Sequence, residues 1–247
     1  MSRKICLITG ASAGIGAATA RLAATRGYDL VLAYNSDRAG AEAVAAEAKA
    51  AGARAEIVQG DVADPDQIET IYGALDSGFG RIDALVNNAG VVDQSQKVTE
   101  YTHDRLRRMF DINVIGAVLV AQQAVRRMQA QGEGGAIVNI SSAAARLGSA
   151  NQYVDYAASK AAIDIFTKGL SDEVAPDNIR VNGIRPGLID TEIHAKGGEP
   201  GRAERLAHMV PMRRAGSAGE IADAVLYLLS DQASYVTGTT LDVSGGR

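Results

Sequence analysis

The chain is expected to adopt an α/β fold: a single-domain Rossmann-type doubly wound parallel sheet of about seven strands with helices on both faces. Three observations predict it. Short apolar runs alternate with longer stretches of helical periodicity along the whole chain, which requires right-handed crossovers and a mostly parallel sheet. Apolar residues make up 47% of the 247 residues but aromatic residues only 4%, so Ala, Val, Ile and Leu must build the core, as suits a sheet covered on both faces. The first apolar run leads directly into a glycine-rich turn and a helix.

Each element follows from its residues. Lys4–Ile8 is a compact apolar run and reads as a buried strand. Gly14–Arg26 carries Ile15, Ala18 and Leu22 at helical spacing, and Asp29–Tyr34 is the next strand. Arg38–Ala51 is rich in Ala and Glu and is stopped by Gly52; Arg54–Gln59 is a strand. Asp64-Pro65 is a helix start, because Asp caps and Pro is tolerated in the first turn; that helix is expected to reach Ser77. Asp83–Val86 is a short strand. Thr99–Met128 reads as one long helix or two joined ones, and Ala136–Ile140 as a strand behind a glycine-rich turn. Asp155–Val174 is helical and Ile179–Ile184 a strand. Ser217 and Glu220 form a capping-box pattern before the Ile221–Leu229 helix, and Thr239–Val243 is the last strand.

The length suits one large α/β domain or two small ones. With no repeat and no linker, residues 1–247 read as a single domain. The irregular stretch is 188–218, with Gly197-Gly198, Pro200-Gly201 and Pro211; a loop of that length predicts a substrate lid. The net charge of −4 argues against a nucleic-acid partner, and pairs such as Arg107-Arg108 read as solvated faces. Cys6 is alone and apolar in context, so no intrachain disulfide forms. No stretch is long enough to span a bilayer, no metal site is assigned, and a cytoplasmic protein is the expectation.

The turn Thr9-Gly10-Ala11-Ser12-Ala13-Gly14-Ile15-Gly16 lies between the first strand and the first helix. A helix N-terminus leaves N–H groups unpaired and carries positive dipole charge, so this place attracts a pyrophosphate. Gly10 turns the chain; Gly14 and Gly16 remove Cβ atoms from the phosphates or from the helix–strand contact. An ordinary glycine-rich turn is the plain alternative. The same residues fit the G-x-S-x-G elbow of α/β hydrolases with Ser12 as nucleophile, followed by Asp190 and His194 or His208. That fold needs earlier strands to supply an oxyanion-hole loop, and the elbow here follows the first strand.

With Tyr156-Ala157-Ala158-Ser159-Lys160 added, the chain resembles the short-chain dehydrogenase/reductase superfamily, notably its β-ketoacyl-carrier-protein reductase-like and glucose-dehydrogenase-like members. The resemblance spans the chain: the Thr9–Gly16 loop, Asp61-Val62, Asn87-Asn88-Ala89-Gly90, Asn113, Ser141-Ser142, Tyr156 and Lys160, and Pro186-Gly187 before Thr191. It implies hydride transfer between a nicotinamide cofactor and a small-molecule carbonyl or secondary alcohol. Tyr156 is the general acid/base, because Lys160 lies i, i+4 on the same helix face and a nearby ammonium lowers a phenol's pKa. Tyr153 has Ala157 at that offset and lacks such a partner. By resemblance, Ser142 (with Ser141 as its neighbouring alternative) bonds the substrate oxygen, Lys160 also holds the nicotinamide ribose, and Asn113 supports a water chain. A helix kink is the plain alternative for Asn113.

For the cofactor, the resemblance assigns Gly10, Ser12, Ala13, Gly14, Ile15 and Gly16 to the phosphates, Asp61 and Val62 to the adenine, and Asn88 and Gly90 to the groove. Pro186, Gly187, Ile189 and Thr191 fall on the nicotinamide side with Tyr156 and Lys160. At the second strand's tip, Asn35, Ser36 and Arg38 suit a 2′-phosphate, so NADP(H) is favoured; Asp37 keeps NAD(H) open as an acid for the ribose diol. A plain helix start is the bland alternative for Asp37 and Arg38. The lid residues His194, Arg202 and Met209, with Gln152 and Tyr153, are expected to shape the substrate site. The resemblance also implies a homodimer or homotetramer. The alternative from another class is a non-catalytic nucleotide-binding regulator, which would be expected to lack Tyr156 or Lys160.

Overall fold

The computed structural model describes residues 3–191, 198–199 and 201–247. Of the expected lid, His194, Gly197 and Pro200 lie outside the described residues. The strands are β1 (Lys4–Thr9), β2 (Tyr28–Tyr34), β3 (Ala55–Gln59), β4 (Ala84–Asn87), β5 (Gly135–Ile140), β6 (Ile179–Pro186), β7 (Ile189–Asp190), β8 (Gly216–Ser217) and β9 (Thr240–Val243). The helices are α1 (Gly14–Thr25), α2 (Arg38–Ala50), α3 (Pro65–Gly78), α4 (His103–Phe110), α5 (Ala117–Gln131), α6 (Ala144–Leu147), α7 (Val154–Val174), α8 (Arg202–Leu206) and α9 (Ala218–Leu229).

Seven strands form one sheet in the order β3-β2-β1-β4-β5-β6-β9. Every pairing in it is parallel, where the sequence led to a mostly parallel sheet. Successive side chains of β1 alternate between two cores. Cys6 and Ile8 join Leu30, Leu32 and Val138 beneath α1, α2 and α9, whereas Leu7 joins Val31, Leu85 and Ile137 beneath α3 and α5. Small residues on α1 (Ala17, Ala20, Ala24) suit its close seat on the sheet. The chain order reverses at β1, which pairs with β2 on one side and β4 on the other. A crevice opens beyond the strand ends at such a switch point, and ligands of open α/β sheets bind there.

The caps match the sequence. Asp64 accepts from the Asp66 N–H at 3.0 Å ahead of Pro65, and Ser217 and Glu220 form a reciprocal capping box at α9. The 99–128 stretch is neither one regular helix nor two simply abutted. α4 passes into α5 through a π-helical turn, Asp111–Gly116, which carries the buried Asn113. Between 188 and 218 the described residues are more regular than a bare loop. β7 and β8 pair in parallel, and Leu188, Ala203 and Val210 form a small separate apolar cluster.

Candidate active site

Two clefts meet above the switch point. The first runs along the tips of β1, β2 and β4 and is lined by Gly10, Ser12, Ala13, Gly14, Tyr34 to Asp37, Asp61, Val62 and Ala89. Its floor is backbone. Gly10 and Gly14 have φ of +64° and +54°, in the left-handed region that favours glycine. Gly16 packs so closely on β1 that a Cβ there would overlap the Gly10 carbonyl and come within 2.7 Å of Asn88 Nδ2. Asn88 holds this crossing by donating to Thr9 O and Gly10 O at 2.9 and 3.1 Å. The N-cap of α1, Ala13, offers no side-chain acceptor, and the first turn holds no acid. The helix's first N–H groups are thereby left to an anion, so the cradle fits a dinucleotide pyrophosphate.

The second cleft has a volume of about 440 Å³, within the range of small-molecule sites. It shares Ile15, Asn88, Gly90, Val92 and Thr191 with the first. Ser142, Tyr156, Lys160, Pro186, Gly187 and Ile189 line it. Tyr156 and Lys160 project from α7, and the Lys160 ammonium stands 5.8 Å from the Tyr156 ring centre. The two serines separate cleanly. Ser141 is buried and donates to the Lys160 carbonyl at 3.1 Å, whereas Ser142 lines the cleft with Tyr156 and its Oγ accepts from the Ala144 N–H at 3.1 Å.

Burial governs the electrostatics here. It pushes the Tyr156 phenol above its ordinary pKa, and the neighbouring Ser142 hydroxyl opposes this only in part. Burial also pushes Lys160 down to about 8, against the attraction of Asp164 one turn further on. The expected lowering of the phenol by Lys160 is therefore not the dominant effect. The ammonium is desolvated, and it donates to the Ile140 carbonyl at 2.8 Å.

Asn113 lines neither cleft. Its Oδ1 accepts from the Val91 N–H at 2.8 Å, and its Nδ2 donates to Val91 O at 2.9 Å and to Ser159 Oγ at 3.2 Å. A Cβ on Gly90 would lie 3.2 Å from Asn113 Oδ1 and 3.3 Å from Lys160 Nζ, so these groups converge behind Gly90. Asn113 thus pins the Val91 backbone from a locally widened helical turn. A second anchor sits at the start of α7. Asp155 is fully buried, binds Arg105 at 2.7 Å and accepts the Tyr156 N–H at 2.9 Å. Arg105 in turn reaches Gln94 O and Gln96 Oε1, tying the segment after β4 to the helix that carries Tyr156.

Other expected residues fall elsewhere. Gly16 is not among the residues lining the cleft and packs against Gly10 and Asn88 beneath it. Arg38 lines neither cleft; its exposed guanidinium pairs with Glu42 at 2.7 Å, the usual i, i+4 geometry. Asp37 does line the first cleft, while its Oδ1 caps α2 by accepting from Gly40 N at 3.0 Å. Gln152, Tyr153 and Arg202 line the second cleft, but Met209 is exposed and does not. Among the described residues, no histidine lines the cleft that holds Ser12; His208 is exposed, its Nδ1 against Arg205 O, and His194 lies outside the described residues. Sequence reasoning missed Arg108 and Ile112 on the first cleft and Leu147, Leu188 and Arg247 on the second. No local pattern marks them, because the fold gathers them from separate segments. Among the described residues, no helix is long and apolar enough to cross a membrane.

Comparison with known proteins agrees with this geometry. Residues 10–247 match the family model described as enoyl-(acyl carrier protein) reductase. The chain is 48% identical to the uncharacterized oxidoreductase YgfF of Escherichia coli over 245 residues, covering 98% of this chain and 99% of that protein. The crystal structure of a short-chain type dehydrogenase/reductase from Mycobacterium marinum superposes with a TM-score of 0.93 at 34% identity, covering 99% and 95% of the two chains. A 3-ketoacyl-(acyl-carrier-protein) reductase from Brucella melitensis, complexed with NADH, gives a TM-score of 0.91 at 32% identity, with 99% and 98% covered.

Proposed function

The chain is an oxidoreductase of the short-chain dehydrogenase/reductase superfamily, and we propose that it interconverts a carbonyl and a secondary alcohol on a small molecule, with Tyr156 as general acid/base. One observation carries this reading: Tyr156, Ser142 and Lys160 converge where the dinucleotide cradle opens into a partly apolar cavity. A bound nicotinamide dinucleotide supplies or accepts the hydride. The protein's own residues do the rest. Ser142 orients the substrate oxygen toward Tyr156, which delivers or withdraws the proton there. Burial keeps the phenol protonated in the unliganded chain, a state suited to donating toward a carbonyl. Lys160 stands behind it as the cation that takes up part of the developing negative charge.

Between the two dinucleotides, Asn35 and Ser36 line the groove and support NADP(H), whereas Asp37 in the same wall supports NAD(H). Arg38 is turned to Glu42, and Arg108, the arginine that does line this cleft among the described residues, is paired with Asp93 at 3.4 Å, so we favour NAD(H). Assembly as a homodimer or homotetramer in the cytoplasm completes the proposal. The test is to follow nicotinamide absorbance while ketones and alcohols are offered with NADH, NADPH and their oxidised forms. Turnover with any of them supports the proposal. Binding of dinucleotide without turnover across the panel would point to the non-catalytic alternative.

A further inference from the structure

We propose that the second cleft selects substrates carrying a carboxylate, and that Arg202 reads it. The inference rests on the oxidoreductase reading and adds the substrate class. Its basis is the charge pattern of the wall. Among the described residues, no Asp or Glu lines this cleft, yet Lys160, Arg202 and Arg247 do. Acids outnumber bases 29 to 25 in the chain, so an acid-free, cation-bearing wall is not a spill-over of overall composition. The field inside such a cleft favours anions over neutral molecules.

Lys160 is committed to Tyr156 and the Ile140 carbonyl. Arg202 is the buried guanidinium that remains, only 8% exposed. It sits 5.2 Å over the Tyr153 ring, donates to Gln152 Oε1 at 2.6 Å and pairs with Glu199 at 2.8 Å. Glu199 does not neutralise the group. It also binds Arg205 at 2.6 Å and accepts the Tyr153 hydroxyl at 2.6 Å, so among the described residues two guanidiniums share this one carboxylate. These contacts occupy one N–H on each terminal nitrogen of Arg202. Further donors of its planar fork have no partner among the described residues, and a fork of this kind matches a carboxylate.

Position sets the ligand's shape. Tyr153 and Arg202 flank the cleft one helical turn before Tyr156, with Val92, Ala144, Leu147 and Leu188 along the wall. A substrate that reaches both therefore has its carbonyl or hydroxyl at Tyr156, an apolar body of a few carbons, and a carboxylate at Arg202.

Benzoate and benzamide probe this without any chemistry, since they differ in charge but hardly in size. Each is titrated calorimetrically into the full chain and into Arg202→Gln. Benzoate is expected to bind about 10- to 100-fold more tightly than benzamide, the worth of hydrogen bonds to a charged group, and Arg202→Gln is expected to erase the preference. Equal binding of the two by the unmodified chain, or no binding of either, overturns the proposal. A preference that survives in Arg202→Gln overturns the assignment to Arg202. Should that variant fail to fold, Arg202→Lys keeps a charge and loses the fork, and its preference is expected to fall between the two; an undiminished preference again counts against Arg202. Hydride transfer to neutral ketones with no gain from an added carboxylate would sink this inference and leave the oxidoreductase reading. Benzoate preference in a chain that transfers no hydride would do the reverse.

Discussion

The dinucleotide cradle and the substrate cleft share a rim but are built from different materials. The cradle is made of backbone: left-handed glycines, a helix N-terminus without a side-chain cap, and a crossing too tight for a Cβ at Gly16. The cleft is made of side chains brought in from α6, α7, β6 and the region beyond β7. A backbone site can only be built in a few ways, so its ligand is common to many chains. A side-chain site is rewritten by single substitutions, so its ligand belongs to this chain. The two regions should therefore fail differently when they are broken.

The largest effect is expected at the chemical group. Tyr156→Phe removes only the hydroxyl, and turnover should fall by about 10²- to 10⁴-fold, the usual worth of a positioned acid/base. Dinucleotide affinity, measured by fluorescence titration, should stay unchanged, because the cradle lies on other elements. Turnover close to that of the unmodified chain would remove Tyr156 from its role. Equal loss of dinucleotide binding would mean that the two regions are not separable.

Lys160 comes next, and its effect depends on pH. Its folded pKa of about 8 lies below its ordinary value of 10.5. Below the lower value both folded and unfolded chains hold the proton. Between the two the unfolded chain binds more protons, so stability rises with pH through that window, by at most about 3 kcal/mol. Comparing unfolding free energies of the unmodified chain and Lys160→Met from pH about 8 to about 10 should show the unmodified chain gaining on the variant. A constant difference across that range would show that the ammonium is not desolvated as its surroundings imply.

Gly16→Ala tests the backbone-built region. The new methyl meets the Gly10 carbonyl, which cannot move without opening the β1–α1 crossing. A stability loss of about 1–3 kcal/mol is expected, together with weaker dinucleotide binding, measured by urea titration and fluorescence. If stability falls while dinucleotide affinity holds, Gly16 serves packing alone.

The contrast between the regions also explains what was legible in the sequence. Strand and helix positions could be read because burial on both faces leaves uninterrupted apolar runs, as in Lys4–Ile8, and because caps such as Asp64-Pro65 and Ser217/Glu220 are local. The cradle could be read because its glycines answer a steric demand within eight consecutive residues. The pairing of Tyr156 with Lys160 was visible as helical spacing, but its electrostatics were not, since desolvation depends on what the fold packs around it. The π-helical turn at Asn113 and the Arg105–Asp155 anchor were hidden for the same reason: their partners lie 22 and 50 residues away. Arg202 could be named as a wall residue, yet its cationic setting depends on Glu199, Arg205 and Tyr153 meeting in three dimensions.

Arg38 gives the smallest expected effect and the sharpest contrast with its neighbour. Sequence position alone sets it beside a 2′-phosphate, but in the fold it turns along α2 to Glu42, while Asp37 stays in the groove wall. An exposed i, i+4 pair contributes little, and Arg38→Gln should change the ratio of NADPH to NADH affinity by less than about threefold. Asp37→Asn should act in the opposite sense to a lost phosphate ligand and improve NADPH binding, because it removes the acid that repels a 2′-phosphate. A tenfold or greater loss of NADPH affinity in Arg38→Gln, on the order of 1.4 kcal/mol, would mean that the guanidinium leaves Glu42 when the dinucleotide binds. The nucleotide specificity of this chain would then lie in a side chain that swings in from α2, and even the backbone-built cradle would owe its selectivity to one movable group.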